Sequence, residues 1–165
     1  MFKSPAKSKA SIEKESAFQR IIKLASIKEQ ASSKLFDRLV REGYPDDEVG
    51  AAIERAIDCG FVNDERFAEC YLRSHRAQGK GMSGMLKDLD SLGIDVYASE
   101  YLHDLVSEYE QEEERRAYEL ITSRPPHSKN PRDAAYRKLI SKGYSSQVAS
   151  TVARKWHEGL ELDAW

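Results

Sequence analysis

Three glycines, Gly43, Gly93 and Gly143, stand fifty residues apart, and each closes the same short phrase. A leucine precedes each by four residues (Leu39, Leu89, Leu139), and an aromatic or aliphatic residue follows it directly (Tyr44, Ile94, Tyr144). Glycine just beyond a helix end adopts the left-handed backbone conformation without a Cβ clash, and the apolar residue after it folds back onto the last turn. Three matched helix ends at one period predict tandem copies of a helical unit, each burying part of its core against a neighbour.

Apolar spacing supplies the helices. Phe18, Ile21, Ile22 and Ala25 form one face, Leu35, Phe36, Leu39 and Val40 a second, and Val49, Ile53, Ala56 and Ile57 a third. Phe67, Ala68, Tyr71 and Leu72 follow, then Met85, Leu86 and Leu89, then Tyr101, Leu102, Leu105 and Val106. Ala117, Leu120 and Ile121, then Ala135, Leu139 and Ile140, then Val148, Val152 and Trp156 complete nine short helices. No alternating run long enough for a strand appears. The expected fold is all-α, an elongated and curved array of three three-helix repeats. Its expected boundaries are a basic disordered tail at 1–12, repeats at 13–60, 61–108 and 109–157, and a C-terminal tail at 158–165. Capping candidates are Asp46, Asn63 or Asp64, Ser145 or Ser146, and Asn130 ahead of Pro131. Gly84, at the start of a helix, is expected to weaken it by roughly 1 kcal/mol relative to alanine.

Composition narrows the class. Nine Gly and five Pro in 165 residues are too few for a sandwich or barrel of many turns. Charged residues make up 33%, but 40% apolar residues are too many for a disordered chain. Cys59 and Cys70 give no disulfide framework and read as small core or boundary residues in a reducing compartment. The opening residues lack an apolar signal region, and no window approaches a membrane span. The expectation is a cytoplasmic monomer with no membrane association.

The residues offer little for catalysis. Gly79-Lys80-Gly81 is flanked by helices and lacks the spacing of a phosphate loop, so it reads as a flexible interhelix turn. His75, His103, His127 and His157 are scattered and match no zinc spacing with the cysteines. Asp46-Asp47-Glu48 and Glu112-Glu113-Glu114 read as solvated acids that complement helix N-termini. No enzyme, cofactor or metal is expected.

Charge is segregated although the net is only −2. Residues 88–119 carry two Lys/Arg against eleven acids, and residues 124–155 carry eight against one. Arg73, Arg76, Lys80 and Lys87 run from one helix through the glycine turn into the next, in a stretch without acids. Arg38 and Arg41 lie beside Gly43, and Arg137, Lys138 and Lys142 beside Gly143. Positive charge recurring along a repeat array suits a phosphate backbone or another acidic polymer.

Asn63-Asp64-Glu65-Arg66-Phe67-Ala68, followed by Tyr71 and Arg73, resembles the central signature of the RecX family, bacterial regulators of the RecA recombinase. The Gly79-Lys80-Gly81 turn and the Leu89…Gly93-Ile94 ending continue it. Arg137-Lys138-Leu139…Gly143-Tyr144-Ser145 resembles the family's C-terminal repeat, and Leu35…Leu39…Gly43-Tyr44 its N-terminal one. The resemblance covers about residues 15–157. One departure is visible: the family often has Gly-aromatic-Gly-Pro and then basic residues, where this chain has Gly79-Lys80-Gly81-Met82-Ser83-Gly84, leaving Lys80 and Lys87 as the cations there. The resemblance implies tandem three-helix repeats lying in the groove of a RecA filament on single-stranded DNA. It further implies inhibition of filament growth, ATP hydrolysis, strand exchange and coprotease activity.

On this reading Arg73, Arg76, Lys80 and Lys87 are the first candidates for filament or DNA contact, and Arg38, Arg41, Arg137, Lys138 and Lys142 the second. Arg66 is expected to pair with Glu69 or Asp64. The rival is a direct nucleic-acid-binding protein of helix-turn-helix type. Its recognition helices would offer only Arg55, Gln147 and Arg154 for base edges, which is poor material for sequence-specific reading.

Overall fold

A computed structural model describes residues 15–162, without the side chains of 161 and 162. The expected basic tail at 1–12 and residues 163–165 lie outside the described residues. Those described form nine α-helices and no strand: α1 (Ala17–Ala25), α2 (Ser32–Arg41), α3 (Asp46–Asp58), α4 (Asp64–Ala77), α5 (Met82–Ser91), α6 (Glu100–Gln111), α7 (Glu113–Ser123), α8 (Pro131–Ser141) and α9 (Ser146–Leu162). A 3-10 turn, Val96–Ala98, precedes α6.

The three glycine phrases end α2, α5 and α8. Gly43, Gly93 and Gly143 have φ of +90°, +73° and +86°. The next N–H reaches back to the leucine carbonyl each time, from Tyr44 to Leu39 (3.1 Å), Ile94 to Leu89 (3.0 Å) and Tyr144 to Leu139 (3.1 Å). These bonds satisfy carbonyls that a helix end leaves unpaired. Leu39, Leu89 and Leu139 are wholly buried.

Buried apolar residues gather in three clusters. The first joins α1, α2 and α3 around Ile21, Leu35, Leu39 and Val49. The second joins α4, α5 and α6 around Leu72, Met85, Leu89 and Leu102, and takes in Ala31 from just before α2. The third joins α7, α8 and α9 around Ile121, Leu139, Val152 and Trp156.

Between clusters the same construction occurs twice. Asp64, first residue of α4, accepts from the backbone N–H (2.8 Å) and hydroxyl (2.5 Å) of Ser32, first residue of α2. Glu113, first residue of α7, accepts from the backbone N–H of Met82, first residue of α5 (2.6 Å). Each acid thus caps the middle helix of the preceding group, where the helix dipole also favours negative charge. The same helix starts rest on the end of the next middle helix. The Ser33 hydroxyl donates to the Leu92 carbonyl (2.9 Å), and the N–H groups of Gly81 and Gly84 donate to the carbonyls of Lys142 (2.8 Å) and Gly143 (2.7 Å). So α2, α5 and α8 follow one another end to end. α8 begins at Pro131, which has no N–H to cap.

The glycine turn is therefore not a flexible linker. A Cβ on Gly81 would stand 2.5 Å from the Gly143 carbonyl carbon and oxygen, and one on Gly84 would stand 2.8 Å from the Gly143 Cα. The cost expected of Gly84 in a helix start is offset by this close approach, which a side chain would prevent.

Other expectations are corrected. Cys59 and Cys70 are both exposed, because each falls off the apolar stripe of its helix. Ile57, Tyr101 and Ile140, assigned to apolar faces, are 47%, 45% and 40% exposed. Asn63 caps α4 by accepting from the Arg66 N–H (2.8 Å), and Ser145 caps α9 by accepting from the Val148 N–H (3.2 Å). Asp46 and the Asn130 side chain make no cap. α9 continues past 157 to Leu162, supported by an Arg154–Glu158 pair one turn apart. Two of the acids read as solvated are tied down: Glu48 accepts from the Ala17 N–H (3.2 Å), and Glu113 is only 7% exposed.

Glu113 gives a direct test. Burial raises its carboxyl pKa above the ordinary value, against the opposing effect of the Met82 N–H bond. A raised folded-state value means that the native state binds the proton more readily, so this group's contribution falls as pH rises through and above the usual carboxylate range. Glu113→Gln keeps an acceptor for Met82 and removes the charge. Its stability by denaturant melt is expected to match or exceed that of the parent at pH 7, with the advantage shrinking by pH 4. Glu113→Ala leaves a buried N–H unpaired and is expected to lose about 1–3 kcal/mol.

Candidate interaction surface

The signature residues turn out to join the first and second clusters. Asp64 caps α2 as described. Glu65 accepts from the Ser99 hydroxyl (2.6 Å) ahead of α6. Arg66 pairs with neither Glu69 nor Asp64: its Nε donates to Glu29 (2.5 Å) and its Nη2 to the Gly60 carbonyl (3.2 Å). Phe67 packs on the second cluster with the Lys34 ammonium 5.8 Å from its ring centre, and Ala68 is a fully buried member of that cluster.

The first-ranked cations are largely engaged. Arg73 pairs with Glu69 (2.9 Å) one turn earlier, and its Nη2 donates to the Tyr101 hydroxyl (3.4 Å). Arg76 pairs with Glu112, and its guanidinium lies 4.1 Å from the Tyr109 ring centre. Lys80 donates to Asp88 and to the Tyr71 hydroxyl (3.1 Å), while Tyr71 also donates to Asp88 and stacks on His75 at 3.9 Å. The Lys80 bond is the main reason that the Asp88 carboxyl lies below its ordinary pKa. Lys87 is exposed.

Among the second-ranked residues, Arg38 pairs with Glu42 (3.0 Å), and Arg41 donates to the Asp37 carbonyl (3.0 Å). Glu42 accepts from Arg20 as well (2.9 Å). The bonds from Arg20 and then Arg38 hold its carboxyl at about 2. This depressed value contributes stability above the usual carboxylate range that is lost as pH falls toward 2. Glu42→Gln is therefore expected to flatten part of the acid limb between pH 4.5 and 2 in thermal melts. An unchanged acid limb would show that the trio is too well solvated to matter.

α8 differs. Arg132, Arg137 and Lys142 are exposed on or just after it, and Tyr136 and Ile140 are exposed between them at 36% and 40%. Lys138 donates to the Arg124 carbonyl. Among the described residues none of these four cations forms an ion pair. Of these, Lys142 lies at the α5–α8 junction, where its carbonyl accepts from the N–H of Gly81 (2.8 Å), next to Lys80.

Sequence reasoning missed Arg116. It lies on α7 and donates to the Arg76 carbonyl, and with Arg73, Arg76, Ala77 and Tyr109 it lines a notch of about 430 Å³. Its only sequence signal was Arg115-Arg116 as the sole cations in an acidic run. No group of three or more His, Cys, Asp or Glu is placed to hold a metal among the described residues. No helix there is long and apolar enough to cross a membrane.

The described residues thus form an all-helical fold of helix groups joined end to end, with basic side chains left on its surface. No family model matches the chain. It is 29% identical over 140 residues to regulatory protein RecX of Chromohalobacter salexigens, covering 82% of this chain and 90% of that one. It is 33% identical over 99 residues to regulatory protein RecX of Syntrophotalea carbinolica, covering 59% and 65%. In structure it is similar to crystalline RecX from Lactobacillus salivarius, with a TM-score of 0.66 at 19% identity over 86% of this chain and 94% of that one. In sequence and in fold the chain is thus similar to RecX regulatory proteins over most of its length.

Proposed function

We propose that this chain is a non-enzymatic negative regulator of the RecA recombinase in DNA repair and homologous recombination. It acts as a monomer in the cytoplasm, binds the RecA filament on single-stranded DNA, and limits filament growth, ATP hydrolysis, strand exchange and coprotease activity. Its body is read as three three-helix repeats, elongated and curved so as to lie along the filament groove. The observation that carries the reading is similarity to RecX proteins across most of both chains. The unpaired cations of α8 support it, because phosphate contact needs charges that are not already neutralised within the protein. Tyr136 and Ile140 among them suit a strand whose bases are accessible.

The helix-turn-helix rival loses material in the fold. Arg55 lies 4.1 Å from the Phe18 ring centre, and Arg154 is paired with Glu158 (3.2 Å). Both are exposed but already engaged within the protein, which leaves Gln147 as the remaining exposed candidate for base edges.

The test is to add the purified chain to the cognate RecA on single-stranded DNA and follow ATP hydrolysis. Progressive loss of hydrolysis is expected. Unchanged hydrolysis, with no binding to the filament by sedimentation, would contradict the reading.

A further inference from the structure

The notch between α4, α6 and α7 is lined by Arg73, Arg76, Arg116 and Tyr109. Two observations mark it as unfinished. The Arg76 Nε is buried and has no hydrogen-bond partner among the described residues, and buried donors in native proteins are nearly always paired. Arg116 contributes a third guanidinium that forms no ion pair among the described residues; its Nη2 donates to a backbone carbonyl instead. The Glu69 and Glu112 carboxylates pair with Arg73 and Arg76, leaving the notch one positive charge in excess.

Guanidinium groups bind carboxylate and phosphate alike. The surroundings separate the two. Exposed Glu100, Asp104, Glu108 and Glu110 line α6 beside Tyr101, within a stretch of net charge −9 given by two cations and eleven acids at 88–119. A nucleic-acid strand brings one phosphate after another into that field and is repelled. A single side chain brings one charge and can carry basic neighbours that meet the acidic rim. The volume of about 430 Å³ suits a side chain rather than a strand. Arginine packed on tyrosine is also the composition of residues that dominate protein–protein affinity.

We propose that this notch receives an aspartate or glutamate side chain of the protein partner, and that the phosphate backbone is met elsewhere. The proposal rests on the reading that the partner is the RecA filament. It divides the sequence candidates by target: Arg73 and Arg76, with Arg116, face protein, and the α8 cations face nucleic acid.

The experiment measures binding of the full chain to RecA filaments preassembled on a labelled oligo-dT, and to the same oligo-dT alone. Arg73→Gln/Arg116→Gln is expected to bind filaments at least tenfold more weakly, while its affinity for free oligo-dT stays within twofold of the parent. Arg73→Glu, at a side chain 58% exposed, repeats the test should loss of Arg116 lower the melting temperature. Equal filament affinity in parent and variants overturns the assignment. So does a parallel fall in oligo-dT affinity, which would make the notch a phosphate site. Failure of the parent itself to bind filaments would instead overturn the functional reading, and the notch assignment with it.

Discussion

Gly143→Ala is expected to lose about 3–5 kcal/mol, from a strained left-handed residue together with overpacking. In a chain of this size that corresponds to a fall in melting temperature of roughly 6–20 °C. Two separate constraints meet at this position. Its φ of +86° disfavours any side chain, and an added Cβ would stand 2.9 Å from the Gly84 Cα. Gly93 is the internal control. It ends α5 in the same phrase with φ of +73°, yet no heavy atom lies within 4 Å of its built Cβ. Gly93→Ala is expected to lose only about 1–2 kcal/mol, the cost of the conformation alone. Gly81→Ala separates the other half. Its φ of −76° is ordinary, so a large loss there reports the close approach by itself. Equal losses at Gly93 and Gly143 would show that the α5–α8 junction yields without strain.

Charge reversal on α8 is expected to have the largest effect on function. Arg132→Glu/Arg137→Glu/Lys142→Glu replaces three exposed cations that form no ion pair among the described residues. Folding stability should move little, since exposed positions away from packing usually tolerate substitution. Affinity for the filament and for free oligo-dT should both fall by roughly a hundredfold or more at low salt. The slope of log affinity against log salt should flatten by about three phosphate contacts' worth of counterion release. Glu119→Gln, at an exposed acid paired with Arg115 (2.8 Å), is the control and should leave both affinities unchanged. If the triple variant keeps the parent's affinity and salt slope, α8 does not meet phosphate.

What could be read from the sequence was whatever local chemistry decides. The nine helices follow from apolar spacing within each segment, and the three Schellman-type ends from a glycine with its fixed leucine and apolar follower. The joints between helix groups were not legible in this way. Asp64 was visible as a helix-start acid, but its partner Ser32 lies 32 residues earlier, and Arg66 finds Glu29 at a separation of 37. Glu113 looked like one of three equivalent solvated acids until the fold buried it against Met82. Gly84 looked like a local weakness because the chain that crosses it is contributed by Gly143. The candidate contact residues suffered the same limit. A run of cations without acids in sequence says nothing about acids that the fold supplies, and Arg76 meets Glu112 from 36 residues away. Arg116 was hidden for the complementary reason, as one basic residue in an acidic run.

The stoichiometry of inhibition tests the central claim most directly. RecA ATP hydrolysis on single-stranded DNA is followed while the chain is titrated from well below one molecule per RecA subunit, first at limiting DNA and then in DNA excess. A regulator that acts on the filament should inhibit at substoichiometric ratios, because blocking growth needs few molecules, and the inhibition should persist when DNA is in excess. Inhibition that requires enough protein to coat the strand, and that fades as DNA is added, would contradict the account and leave simple competition for DNA in its place.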